Sequence, residues 1–129
     1  PEAIKTTYAF RSLLDTGAKL TFGSDWPVAP LNPLMGIDAA IFRRTTDGLN
    51  PDGWVPEEKI TGEEALTAYT VTNAYAGFME DKVGTLEAGK YADIVVLSAD
   101  PTMADETSIG DIIVLRTIVG GDTVYAVGE

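Results

Sequence analysis

Between Gly17 and Pro27 this chain has room for one short extended segment and little else, and every reading of the sequence turns on it. Asp15-Thr16-Gly17 stops whatever precedes it, because Gly17 suits the left-handed position that closes helices. Pro27 removes a backbone donor and forbids a continued ladder. The run between them, Leu20-Thr21-Phe22, reads as a strand that ends in Gly23 and Ser24 and presents Asp25 at its C-terminal tip. In parallel α/β proteins, functional side chains sit where strands end and loops begin. A carboxylate at such a tip can bind a metal ion or take a proton from water. Its usual companions are missing, since the chain has no histidine and no cysteine.

The pattern on either side extends this into alternating elements. Residues 3–15 read as an amphipathic helix, with Ile4, Tyr8, Leu13 and Leu14 at helical spacing. Ala18 to Phe22 is the expected strand. Pro27 to Pro33 is a loop, after which Asn32 caps and Pro33 opens a helix over about 34–46 that closes on Arg43 and Arg44. Thr61-Gly-Glu-Glu64 is a capping box and opens a helix to about Phe78. Beyond Glu80 the texture changes to short β-rich runs: Asp93–Leu97, Ile112–Val119 and Thr123–Val127, the last two joined by a Gly120-Gly121-Asp122 turn.

Composition limits the partners. With 129 residues and 45% apolar content the chain can bury a core. A net charge of −11 argues against a nucleic-acid binder or one for anionic membranes, since both need clustered Lys and Arg. No apolar run approaches the roughly 18 residues of a membrane span. A cytoplasmic location is expected from the acidic balance. Pro1-Glu2-Ala3 resembles neither a signal peptide nor an initiator start, and a fragment of a longer protein is the favoured reading.

Three segments, in order, carry a resemblance. They are Leu13-Leu-Asp-Thr-Gly-Ala-Lys-Leu-Thr-Phe-Gly-Ser-Asp-Trp-Pro-Val28, Ala65-Leu-Thr-Ala-Tyr-Thr-Val-Thr-Asn-Ala-Tyr75 and Gly84-Thr-Leu-Glu-Ala-Gly-Lys-Tyr-Ala-Asp-Ile-Val-Val-Leu97. Together they resemble the C-terminal part of metal-dependent amidohydrolases of the amidohydrolase-3 (YtcJ-like) branch. The resemblance implies an α/β fold: residues 1–80 would be the last one to two repeats of a (β/α)8 barrel. Residues 81–129 would be the C-terminal strands of a composite β-sandwich, and the whole would be incomplete on its own. It implies that 18–24 is the eighth barrel strand and that Asp25 both binds a divalent metal, usually zinc in this family, and activates the hydrolytic water. It implies hydrolysis of a non-peptide C–N bond, of amide type, in a small-molecule substrate. The family's histidine ligands would lie upstream of this segment. A (β/α)8 barrel takes roughly 250 residues. The chain alone is therefore expected to be inactive and to bind no metal tightly.

Other residues have plainer readings. Asp25 could instead initiate a turn and accept backbone N–H bonds. Trp26 could line a substrate pocket or fill a core. Arg43 and Arg44 read as capping or ion-pairing groups, Tyr69, Tyr75 and Phe78 as core, and Asp93 as an acceptor for backbone donors. Glu63 and Glu64 belong to the capping box. The alternative to a hydrolase fragment is a truncated, non-catalytic binding or oligomerisation module. A barrel slice would leave apolar faces and strand edges open, so self-association is expected.

Overall fold

A computed structural model describes residues 2–45, 47–103 and 109–128, which fall into a helical part and a small antiparallel sheet. The chain enters through a 3-10 turn, Glu2–Thr6, followed by helix α1, Phe10–Asp15. The single helix expected over 3–15 is therefore broken. Tyr8 stands in the break at φ 50°, a left-handed conformation that a bulky residue keeps only where its surroundings hold it. Arg43 holds it. Its guanidinium donates to Thr7 O at 3.0 Å, Tyr8 O at 2.8 Å and, through Nε, Trp54 O at 2.7 Å.

Helix α2, Pro33–Phe42, starts as the sequence predicts, with Pro33 at its first position and Asn32 Oδ1 accepting from Leu34 N at 3.0 Å. It ends at Phe42 rather than near 46, because Arg43 turns left-handed at φ 54° and sends its side chain inward. Arg43 is only 7% exposed. Arg44 stays at the rim, 3.5 Å from Asp38 and over the Phe42 ring. Both arginines serve the fold.

The capping box forms. Thr61 N donates to Glu64 Oε2 at 2.8 Å and Glu64 N to Thr61 Oγ1 at 3.2 Å, opening helix α3, Gly62–Tyr69. The helix expected to reach Phe78 instead breaks at Thr70 (φ −124°, ψ −80°) and resumes as α4, Val71–Ala76. The Thr70 hydroxyl bonds back to Leu66 O at 2.7 Å, a competing bond of the kind that bends helices. Leu34, Ile37 and Ala40 of α2 meet Ile60, Ala65 and Ile112 in the core, with Phe10, Phe22 and Tyr69 packed against them. Gly36 is fixed by that packing: a Cβ there would lie 1.8 Å from the Tyr69 hydroxyl oxygen. Tyr75 and Phe78, expected in the core, are 51% and 92% exposed. The break at Thr70 shifts the α4 face away from the stripe of a continuous helix.

Strands β1 (Ile94–Leu97), β2 (Val114–Val119) and β3 (Asp122–Ala126) form one antiparallel sheet in the order β1-β2-β3. Val119 pairs with Asp122 across a two-residue turn in which Gly120 and Gly121 both have positive φ, the hairpin geometry matched to strand twist. Asp93 Oδ1 accepts from Gly120 N at 2.7 Å, the role read for it. A second sheet is not seen among the described residues. The segment 18–24, expected as a strand, makes no ladder there either. A parallel strand needs a neighbour reached by a crossover, and the strands present follow residue 93 and pair with one another.

The chain exposes 8710 Å², against roughly 6600 Å² for a compact monomer of its mass. Trp26, Val28, Leu31, Leu49 and Leu86 are all more than 60% exposed. Such a surplus of open apolar surface marks contact faces.

Two stability predictions follow from the contacts of Arg43 and Glu58. Arg43→Ala strands three main-chain acceptors and should lower unfolding free energy by about 3 kcal/mol, read as a drop in the urea midpoint. Glu58, 6% exposed, accepts from the Ser12 hydroxyl and from Ser12 N at 2.8 Å. These bonds, the hydroxyl's foremost, hold its carboxyl below the usual glutamate range. The unfolded chain then takes up the proton first, so this stabilisation is present above the ordinary glutamate pKa and is lost as pH falls through the lower folded value. Glu58→Gln should flatten that part of the acid decline in the urea midpoint.

Candidate functional site

The candidate site is built on how residues 18–24 satisfy their backbone. In an extended chain, residues i and i+2 present their N–H and C=O groups to the same edge. On the edge of residues 20 and 22, each such bond runs to the kinked α3–α4 pair. The Thr72 hydroxyl donates to Leu20 O, Phe22 N donates to Ala68 O at 3.1 Å, and Asn73 Nδ2 donates to Phe22 O at 2.8 Å. The Phe22 ring lies 4.9 Å from Phe10 and 5.7 Å from Tyr69, centroid to centroid, and locks the same point from the core side. Lys19 Nζ sits 3.6 Å over the Tyr75 ring at the start of the segment.

The segment ends in a turn, Asp25–Val28, with a cis Trp26–Pro27 peptide. Asp25 is left-handed at φ 49°, which Asp tolerates better than most residues. The turn closes through the main chain: Val28 N donates to Asp25 O at 2.8 Å and Ala29 N to Ser24 O at 3.1 Å. The turn-initiating use of the carboxylate, accepting a backbone N–H, is not made. The Asp25 side chain is exposed and carries no hydrogen bond among the described residues. It remains available as an acceptor. Ser24 beside it is half-buried, and Trp26 is 63% exposed, so Trp26 is no core residue.

Concave regions lie on the Phe22 side of the segment and, farther off, beyond the α3–α4 pair. A cavity of about 410 Å³ is lined by Tyr8, Phe10, Phe22, Gly23, Trp54 and Tyr69 among others, on the Phe22 side. Burial raises the Tyr69 phenol, so it stays protonated at neutral pH. A wider groove of about 690 Å³ runs between α3–α4 and β1. Neither is lined by Asp25. Among the described residues no group of three or more His, Cys, Asp or Glu side chains comes together to hold a metal ion. No helix among them is long and apolar enough to cross a membrane.

Sequence reasoning singled out Asp25, but it did not foresee the bonds that Thr72 and Asn73 make to the segment. A signal was present: Asn73 falls on the apolar stripe of its helix, where a polar residue needs a partner.

Residues 1–125 match the amidohydrolase family. The chain is 42% identical over 125 residues to the protein LONG AFTER FAR-RED 3 of Arabidopsis thaliana, covering 95% of this chain and 21% of that one. It is 31% identical to YtcJ of Bacillus subtilis, over 96% of this chain and 23% of that protein. It is 34% identical to N-substituted formamide deformylase of Arthrobacter pascens, over 88% and 20%. Two crystal structures share its fold at a TM-score of 0.70. One is an amidohydrolase of Thermotoga maritima, 24% identical over 92% of this chain and 26% of that one. The other is a metal-dependent hydrolase of Pyrococcus horikoshii, 29% identical over 83% and 22%. The chain thus spans about a fifth to a quarter of the length of the proteins it matches. Matched over nearly its whole length in sequence and in fold, the chain belongs to the amidohydrolase family.

Proposed function

We propose that this chain is the C-terminal part of a longer metal-dependent amidohydrolase, cytoplasmic, which hydrolyses an amide-type C–N bond of a small molecule, and that Asp25 is its proton-transferring carboxylate. The observation that carries the reading is the Asp25 side chain, without a hydrogen bond among the described residues, at the end of a segment bonded along one edge and packed through the Phe22 ring. A carboxylate is acceptor-only at neutral pH, so it can take the proton of an attacking water and return it to the leaving nitrogen. One relative is an N-substituted formamide deformylase, which makes N-substituted formamides the first substrates to assay.

The described residues of this chain do not by themselves fit a divalent metal. One exposed carboxylate falls short of the three or four ligands such ions take. In the longer protein Asp25 would be one ligand among others, and zinc is the ion to test first; residues 1–80 would belong to the catalytic barrel and 81–129 to the composite β-sandwich.

Asp25→Asn in the longer protein should lower kcat by about 10²–10⁴-fold, the range for a lost general acid–base group, while KM moves little. Activity that survives both Asp25→Ala and chelation of the metal rules the proposal out.

The surplus of exposed apolar surface bears on the second reading, a non-catalytic module. As a piece of a larger fold, the isolated 129-residue chain should associate with rising concentration in sedimentation velocity. A monomer with a cooperative melt that binds no apolar dye would favour the module.

A further inference from the structure

We infer that Thr72 and Asn73 are positioning residues for Asp25, an inference that rests on the reading of Asp25 as the proton-transferring carboxylate. They act through the backbone of the 18–24 segment and touch neither substrate nor water themselves.

The break at Thr70 makes this possible. A continuous helix from Gly62 to Ala76 would commit the carbonyls of residues 67–69 to its own i→i−4 ladder. The break releases them, and each finds another donor. Thr67 O lies 3.2 Å from Thr70 N and 3.1 Å from the Thr72 hydroxyl. Ala68 O takes Phe22 N, and Tyr69 O lies 3.3 Å from Asn73 Nδ2. The side chains that follow the break then reach across it to Leu20 O and Phe22 O. Two side chains and one freed carbonyl thereby replace the ladder partner on one edge of the segment.

That edge sets where Asp25 stands. Only Gly23 and Ser24 separate the bonds at Phe22 from the main-chain turn that begins at Asp25. Over so short a span a displacement at Phe22 carries through to the carboxylate. The left-handed backbone of Asp25 is confined by this edge and by its own turn, since among the described residues no hydrogen bond holds its side chain. The bonds fall at Leu20 O and Phe22 O, the two carbonyls that precede Ser24 on this edge, and Ser24 O is already held by the turn itself. The Phe22 ring already secures the segment to the core through Phe10 and Tyr69.

The test uses the longer amidohydrolase with its metal, comparing Thr72→Val, Thr72→Ser, Asn73→Ala and Asp25→Asn. Thr72→Val keeps the side-chain volume and removes the donor. It should lower kcat about tenfold at unchanged KM, within the range for a sub-ångström misplacement, and Thr72→Ser should restore it. Asn73→Ala should act in the same direction. Independently of activity, hydrogen–deuterium exchange of the peptide covering 18–25 should speed up about tenfold at the Phe22 amide in Thr72→Val and Asn73→Ala, with melting temperatures within a few degrees of the parent. Wild-type kcat and exchange in both variants, with Asp25→Asn inactive, overturns the positioning role and leaves the hydrolase reading standing. A kcat loss in Thr72→Val that Thr72→Ser fails to restore also overturns it. An active Asp25→Asn overturns both.

Discussion

The backbone polar groups of residues 18–24 impose the constraint around which the helical part is arranged. Where an extended segment packs against a protein, the N–H and C=O groups on the packed edge need partners, and a helix cannot normally offer one sideways. Here the neighbour is a helix broken at Thr70, whose released carbonyl and following polar side chains stand in for a strand. The opposite edge is different. Among the described residues, the main-chain groups of Thr21 and Gly23 make no such bonds. A segment bonded on one edge and open on the other is ready to accept one more strand. The open edge and the surplus of apolar surface are the two physical reasons for placing the chain within a larger fold.

Arg43 organises the second half of the helical part in a comparable way. Tyr8 and Arg43, both left-handed, meet at one guanidinium, and the left-handed Val55 follows the Trp54 carbonyl it binds. Its forked donors collect the adjacent carbonyls of Thr7 and Tyr8 and that of Trp54, joining two segments far apart in sequence. Left-handed conformations are unfavourable for such side chains, by about 1–2 kcal/mol each, so the bonds and the burial of the guanidinium must outweigh them. Desolvation pushes the guanidinium's pKa down from its usual value, with nearby Glu58 opposing that. Glu58, tied to α1 through Ser12, extends the same cluster under the first helix.

The sequence made some of this legible and hid the rest for identifiable reasons. Caps were readable because they are local: Asn32-Pro33 and Thr61-Gly-Glu-Glu64 decide helix starts with side chains three residues away or fewer. The Gly120-Gly121 hairpin and Asp93 were readable for the same reason. Helix ends were not. The stops at Phe42 and Tyr69 depend on a carbonyl claimed from a distance and on a back-bonded threonine hydroxyl, and neither leaves a glycine as a marker. The strand expected at 18–22 failed as a ladder because pairing is a property of two segments. Asp25 could be placed at a tip by Pro27, but what holds the tip lies some fifty residues away at Thr72 and Asn73.

The division of labour within the site follows from these distances. On the proposed reading, chemistry on a C–N bond needs several groups converging on one atom, and the described residues of this chain would bring one carboxylate to the place. What it brings is the means of fixing that carboxylate. The backbone is bonded on one edge up to Phe22, the ring of Phe22 is packed on two aromatics, and the turn beyond is closed without using the side chain. Each restraint acts on main chain or core and spares the carboxylate oxygens. A side chain held by its own hydrogen bonds would have to break them to take a proton. One held through its backbone keeps both oxygens available, which is the arrangement a proton acceptor requires.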